Sequence, residues 1–160
     1  MQFKASLDAL SKGITWAITL ITFVLIIFIL IVLKNDRILI LLPVGILSLT
    51  LAGTFLFSPQ SYEITNDHIE ISRKINIFRI PRAEIISIEK LSEEDMGRAW
   101  RMMGNGGMFG YTGWFRSAKQ GKMRWFVTQR KNYISIVLAD QRKYILSPDD
   151  PTGFLQATQW

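Results

Sequence analysis

The 160-residue chain contains no cysteine, a single histidine and only five prolines. Without cysteine there is no disulfide framework, no thiolate nucleophile and no sulfur ligand for a metal. A Ser-His-Asp arrangement would have to recruit His68, which follows the turn residues Asn66-Asp67 and opens an alternating run, a surface or edge position. The consecutive acids Glu93, Glu94 and Asp95 could hold a divalent cation, but their polar surroundings read as a solvated loop. The glycine-rich stretch 104–113 has no G-x-G-x-x-G spacing and no Gly-Lys-Ser/Thr, so it is not a nucleotide phosphate loop. It reads as a mobile loop whose aromatics dock back on the fold or reach a partner. No catalytic set and no cofactor is implied.

Charge is missing from two long stretches. Residues 14–33 and 38–57 each run twenty residues without Asp, Glu, Lys or Arg, and fifteen of the first and thirteen of the second are Ile, Leu, Phe or Val. At about 1.5 Å per residue each makes a helix of roughly 30 Å, the thickness of a hydrocarbon core. A signal peptide is shorter and is not followed at once by a second span, and a buried core helix shows a polar face. The pattern predicts two membrane spans. Only Lys34, Asn35, Asp36 and Arg37 join them, so they form an antiparallel hairpin. Thr15, Thr19 and Thr22 share one face of the first span, and Gly45, Ser48 and Ala52 give the second a small-residue face, which suits close packing. Pro43 should kink the second span mildly. The absence of an ionisable residue from both spans argues against a transporter core.

Residues before and after such a hairpin lie on one side. Lys4, Lys12, Arg73, Lys74, Arg79 and Arg82 flank it there, against Lys34 and Arg37 in the connection, so the positive-inside rule favours the cytoplasmic side.

From Ser58 onward the apolar pattern changes to period two: Ile69/Ile71, Ile75/Ile77, Ile86/Ile88 and Ile134/Ile136/Leu138. Strands are expected near 61–65, 68–72, 74–79, 84–91, 111–117, 122–129, 133–139 and 143–147, the spacing of a barrel or sandwich. Asp150 as N-cap and Pro151 in the first turn then start a helix whose Phe154 and Leu155 could plug a barrel mouth. The expected architecture is a membrane α-helical hairpin over 14–57 and an all-β barrel over 58–160 capped by a C-terminal helix, after a leading segment 1–13.

The order of features resembles the bacterial membrane-attached PH-like (pleckstrin-homology-like) domain proteins. Shared are the hydrophobic hairpin, then Ser-Pro-x-x-Tyr-x-Ile-Thr-x-Asp over 58–67, Pro81-x-x-Glu84-Ile85, the glycine-rich 104–113, and Ser-Pro-Asp-Asp-Pro-x-x-Phe over 147–154. The resemblance implies the PH fold and an inner-membrane setting more than a function. PH domains that bind phosphoinositides carry a basic cluster on the loop between their first two strands. Here that loop reads Thr65-Asn66-Asp67, so a specific lipid pocket of that kind is not supported.

One stretch invites a partner. Residues 116–131 hold Arg116, Lys119, Lys122, Arg124, Arg130 and Lys131 with no acid among them, beside Trp114, Phe115, Trp125 and Phe126. Cations and tryptophans of this kind favour anionic headgroups and the bilayer interface. With Phe109 they form the candidate lipid or partner surface; the plain alternative is a solvated hairpin with core aromatics. Nucleic acid is disfavoured, because from residue 58 on 15 Lys and Arg stand against only 11 Asp and Glu. These features fit a non-enzymatic adaptor binding a protein, another copy of itself or anionic lipid. The alternative is an accessory subunit of a membrane enzyme or transport complex.

Overall fold

The computed structural model describes residues 1–34 and 37–159. Asn35 and Asp36, half of the expected turn between the spans, and Trp160 lie outside them. Helix α1 covers Ala9–Val32 and α2 covers Arg37–Leu56, with Pro43 inside α2. The first helix begins before its uncharged run because Asp8 caps it: the carboxylate accepts the Ser11 backbone N–H at 2.6 Å. Both helices are long and apolar enough to cross a membrane. In α1 only Ser11 and Thr22 are buried, so neither helix is the core of a soluble fold. The two helices pack side by side. Thr50 and Thr54 turn their hydroxyls onto carbonyls of their own helix, at Ile46 and Thr50.

Among the described residues there are ten strands, two more than the period-two pattern predicts. A four-stranded antiparallel sheet has the order β1 (Gln2–Lys4), β2 (Pro59–Ile64), β3 (His68–Arg73), β4 (Ile77–Pro81). A six-stranded sheet has the order β5 (Ile85–Leu91), β9 (Tyr133–Leu138), β10 (Lys143–Leu146), β8 (Gly121–Val127), β7 (Gly110–Ser117), β6 (Ala99–Gly107). All pairs are antiparallel except β8 with β10. The run expected at 74–79 starts later, because the Arg73 N–H donates to the Asn76 carbonyl and closes a turn over 74–76.

One expectation needs correction. Stretch 104–113 is not a mobile loop; β6 and β7 pair along it from Gly104 against Gly113 to Gly107 against Gly110, with Met108 and Phe109 as the turn. Within the leading segment, residues 2–4 form the edge strand on β2.

The sheets pack face to face over a core of Tyr62, Ile69, Ile71, Ile80, Phe126, Ile134, Ile136, Leu146 and Phe154, so the expected barrel is a sandwich closed by helix α4 (Pro151–Ala157). Asp150 caps α4 by accepting the Gly153 N–H at 2.9 Å, and Pro151 occupies its first turn. A second cluster, including Phe115, Met123, Trp125, Val127 and Ile145, fills the other face of the six-stranded sheet. Leu91 from one edge strand and Ala99 from the other both pack on it, so the sheet curls around it. Met96 of the one-turn helix α3 (Glu93–Met96) completes the cluster.

Tyr62 ties the sheets together. Its hydroxyl donates to the Phe126 carbonyl at 2.6 Å and accepts the Ser147 N–H at 3.3 Å. Burial pushes this phenol up to about 12, and burial likewise pushes the Tyr133 phenol up to about 12. Below the ordinary tyrosine value, about 10, both phenols are protonated in folded and unfolded chains alike. Above it the unfolded chain ionises first, so stability falls as pH rises from about 10 through about 12. Thermal melts of the detergent-solubilised chain should show no change from these groups below pH 10 and a steep loss above it. Tyr62→Phe should flatten that loss.

Candidate functional site

Strand parity divides the basic hairpin. Along β8 the side chains of Lys122, Arg124 and Phe126 share one face, while Met123, Trp125 and Val127 share the other. Register places Arg124 opposite Trp114 and Lys122 opposite Arg116. Four of the expected residues therefore come together: Arg116, Lys122, Arg124 and Trp114. The Lys122 ammonium stands 4.5 Å from the Trp114 ring centre and the Arg124 guanidinium 5.9 Å from it. Phe126 on the same face is buried between the sheets, so this cationic face continues the sandwich core out to solvent.

The remaining candidates lie elsewhere. Trp125 is only 3% exposed and stacks on Phe115 at 4.3 Å, because its parity points it into the second cluster. It is a core residue and no part of a contact surface. Lys119, in the β7–β8 turn, donates to the Glu94 carbonyl at 2.8 Å. Arg130 stands 4.7 Å above the Tyr111 ring, and Lys131 is exposed beyond the far end of β8. Phe109 sits at the β6–β7 turn, edge-on to Phe55 of α2 at 5.2 Å.

The cationic face has a member that the basic run did not contain. Arg73, at the end of β3, sets its guanidinium over Phe78 and Phe126, the rings that Arg124 also covers, and over Phe57, the first residue beyond α2. Burial, and then the neighbouring Arg124, hold Arg73 below its ordinary value. Only sheet packing joins these positions. The available sequence signal was the cation pair Arg73-Lys74 beside Ile75, in a turn two strands after α2.

The joint between helices and sandwich is built from short polar bonds. The Thr15 hydroxyl, expected between the helices, accepts the Phe109 N–H at 2.8 Å, and the Ser11 hydroxyl donates to the Gly107 carbonyl at 2.6 Å. Asp8 accepts the Arg130 N–H at 2.9 Å while capping α1, and the Ser6 hydroxyl donates to Asp149 at 2.6 Å. On the other side, the Ile75 N–H donates to the Leu56 carbonyl at 3.2 Å, and the Lys74 ammonium lies 3.7 Å from the Phe55 ring centre.

The other sequence candidates have structural places. Glu93, Glu94 and Asp95 form the first turn of α3, where Asp95 and Ser92 make a capping box. Hydrogen bonds from Ser92 hold the Asp95 carboxyl below its ordinary value. Among the described residues no three His, Asp or Glu side chains converge on a metal position. His68 opens β3, its N–H donating to the Thr65 hydroxyl at 3.1 Å.

A sandwich of one four-stranded and one larger sheet, closed by a C-terminal helix and joined to two helices long and apolar enough to cross a membrane, defines a PH-like protein. The chain belongs to the bacterial PH domain family, whose model matches residues 60–159. PH-like domains are in general non-catalytic. No curated protein and no solved structure matches the chain.

Proposed function

We propose that the protein is a non-enzymatic adaptor, anchored in the bacterial inner membrane by α1 and α2. Its PH-like domain would face the cytoplasm and offer a docking surface at the inner leaflet to a protein, another copy of itself or anionic lipid. The joint is the observation that carries this reading. Bonds from Ser11 and Thr15 on one helix, and from Leu56 on the other, reach two separate parts of the sandwich: the β6–β7 turn at Gly107 and Phe109, and the β3–β4 turn at Ile75. A flexible tether would only raise local concentration, whereas this joint fixes the height and tilt of the domain. The face bearing Arg116, Lys122 and Arg124 is thereby held at one level against the bilayer. Lys12 and the 77% exposed Trp16 in the first turns of α1 fit the aromatic and basic anchors of an interface.

Tagged full-length protein, cross-linked in native membranes and purified, tests the reading. The chain should stay in the membrane through alkaline carbonate, and specific cross-links should be lost in an Arg116→Glu, Lys122→Glu variant that melts at the unaltered temperature. Release by carbonate would sink the anchor; cross-links indifferent to charge reversal would sink this surface.

A further inference from the structure

Packing of one sheet on the other brings Arg73 and Arg124 together, and no carboxylate joins them. Their guanidinium carbons share two rings: Phe78, at 5.9 Å from Arg73 and 4.6 Å from Arg124, and Phe126, at 5.6 and 5.2 Å. Neither arginine takes part in the ion pairs Arg79–Glu70, Arg142–Glu84 and Arg142–Asp140. The Arg73 Nε is buried and meets no acceptor. Like charges this close repel, and a buried donor without an acceptor is costly. Both penalties vanish if an anion with several acceptor oxygens binds between the two side chains.

The position of the pair says which anion. Arg73 also lies 5.4 Å from the ring of Phe57, one residue past the end of α2. The adjoining turn is bonded to Leu56, and around it Ile75 and Ile77 remain 52% and 47% exposed beside Lys74. Exposed isoleucines beside the end of an apolar helix, with a lysine ammonium 3.7 Å from an aromatic ring centre, suit the bilayer interface. With α1 and α2 spanning a bilayer, the two guanidiniums would stand at the depth of lipid phosphates. The turn over 65–67, which carries no Lys or Arg, lies at the opposite end of β3 and contributes nothing to this site.

We infer that Arg73 and Arg124 together bind the phosphate of an anionic glycerophospholipid in the leaflet on which the domain rests. The inference rests on the membrane-anchored reading and names a ligand for that surface. The planar guanidinium fork matches phosphate oxygens with paired N–H donors, and Lys122 beside Trp114 adds a third cation. A zwitterionic choline headgroup would bring its own cation against the same side chains, so the site selects lipids of net negative charge.

The full chain in a neutral detergent would be titrated with phosphatidylglycerol and separately with phosphatidylcholine, and retained lipid counted by native mass spectrometry. The unaltered protein should hold phosphatidylglycerol about tenfold more tightly, the scale of one charged hydrogen bond. Arg73→Gln and Arg124→Gln should each abolish that preference; Lys131→Gln, which removes equal charge beyond the far end of β8, should keep it. Equal retention of both lipids by the unaltered protein overturns the inference even if a variant fails to fold. So does a preference that survives both glutamine substitutions. Displacement of the lipid by inorganic phosphate alone would assign the site to a free anion and overturn the lipid. A chain that resists carbonate yet shows no preference refutes this inference alone, whereas release by carbonate refutes the anchor beneath it.

Discussion

Gly113→Ala should lower stability by about 3 kcal/mol, because a backbone angle unfavourable to any side chain adds about 1–3 kcal/mol and a backbone clash comes on top. Gly113 has φ +121, and a Cβ there would lie 2.3 Å from the Met103 carbonyl oxygen and 2.8 Å from the Gly104 Cα. The partner position is equally crowded: a Cβ on Gly104, at φ +115, would lie 2.2 Å from the Thr112 carbonyl oxygen. These residues face each other across β6 and β7, so neither contact can relax without parting the strands. For a chain of this size the melting temperature should fall by about 10 °C. Gly53→Ala is the matched control, because its Cβ would meet nothing within 4 Å in a helical backbone.

The loss should reach past stability. The hairpin that Gly104 and Gly113 hold closed carries Gly107 and Phe109, which receive Ser11 and Thr15 of α1. If the strands part, the domain keeps its membrane helices but loses one side of its joint. Protease should then cut within 104–113 in Gly113→Ala and spare the unaltered protein. A melting temperature within a degree or two of the parent would mean that the close pairing of these strands is not needed.

The same glycines explain why β6 was illegible in the sequence. Glycine ordinarily marks a turn or loop, and five within ten residues hide the strand they permit to approach its neighbour. β1 was hidden for a different reason: Gln2, Phe3 and Lys4 contain one apolar residue, too few to show a period. The helices, by contrast, were legible because bilayer thickness demands twenty uncharged residues and little else supplies them. So was the start of α4, where Asp150 and Pro151 each act locally. The site was half legible. Period two along β8 already separates Trp125 from Lys122 and Arg124, yet composition alone merges them. Arg73 was legible only as a cation beside Lys74, since its neighbours Phe57, Phe78 and the Arg124–Phe126 pair of β8 come from three separate parts of the chain.

Phe154→Ala should be costlier than the glycine change, at about 3–5 kcal/mol, the usual range for emptying a buried phenylalanine site. Phe154 is fully buried, with its ring edge-on to Phe3 at 5.2 Å and to Tyr62 at 6.4 Å. Three elements meet there: β1, β2 and α4. Collapse cannot fill the space cheaply, because Tyr62 is held by its bonds to Phe126 and Ser147, and α4 is fixed at its start by Asp150. Phe3 is the freest neighbour, on a three-residue edge strand, so β1 should give way first. Hydrogen exchange of the Gln2–Lys4 amides should therefore quicken more than that of β9, together with a fall of about 10 °C or more in the melting temperature. Phe154→Leu, which refills most of the volume, should cost about 1.5 kcal/mol or less. Were alanine tolerated with under about 1 kcal/mol lost, α4 would be a surface appendage, because a residue that closes the core cannot be removed so cheaply.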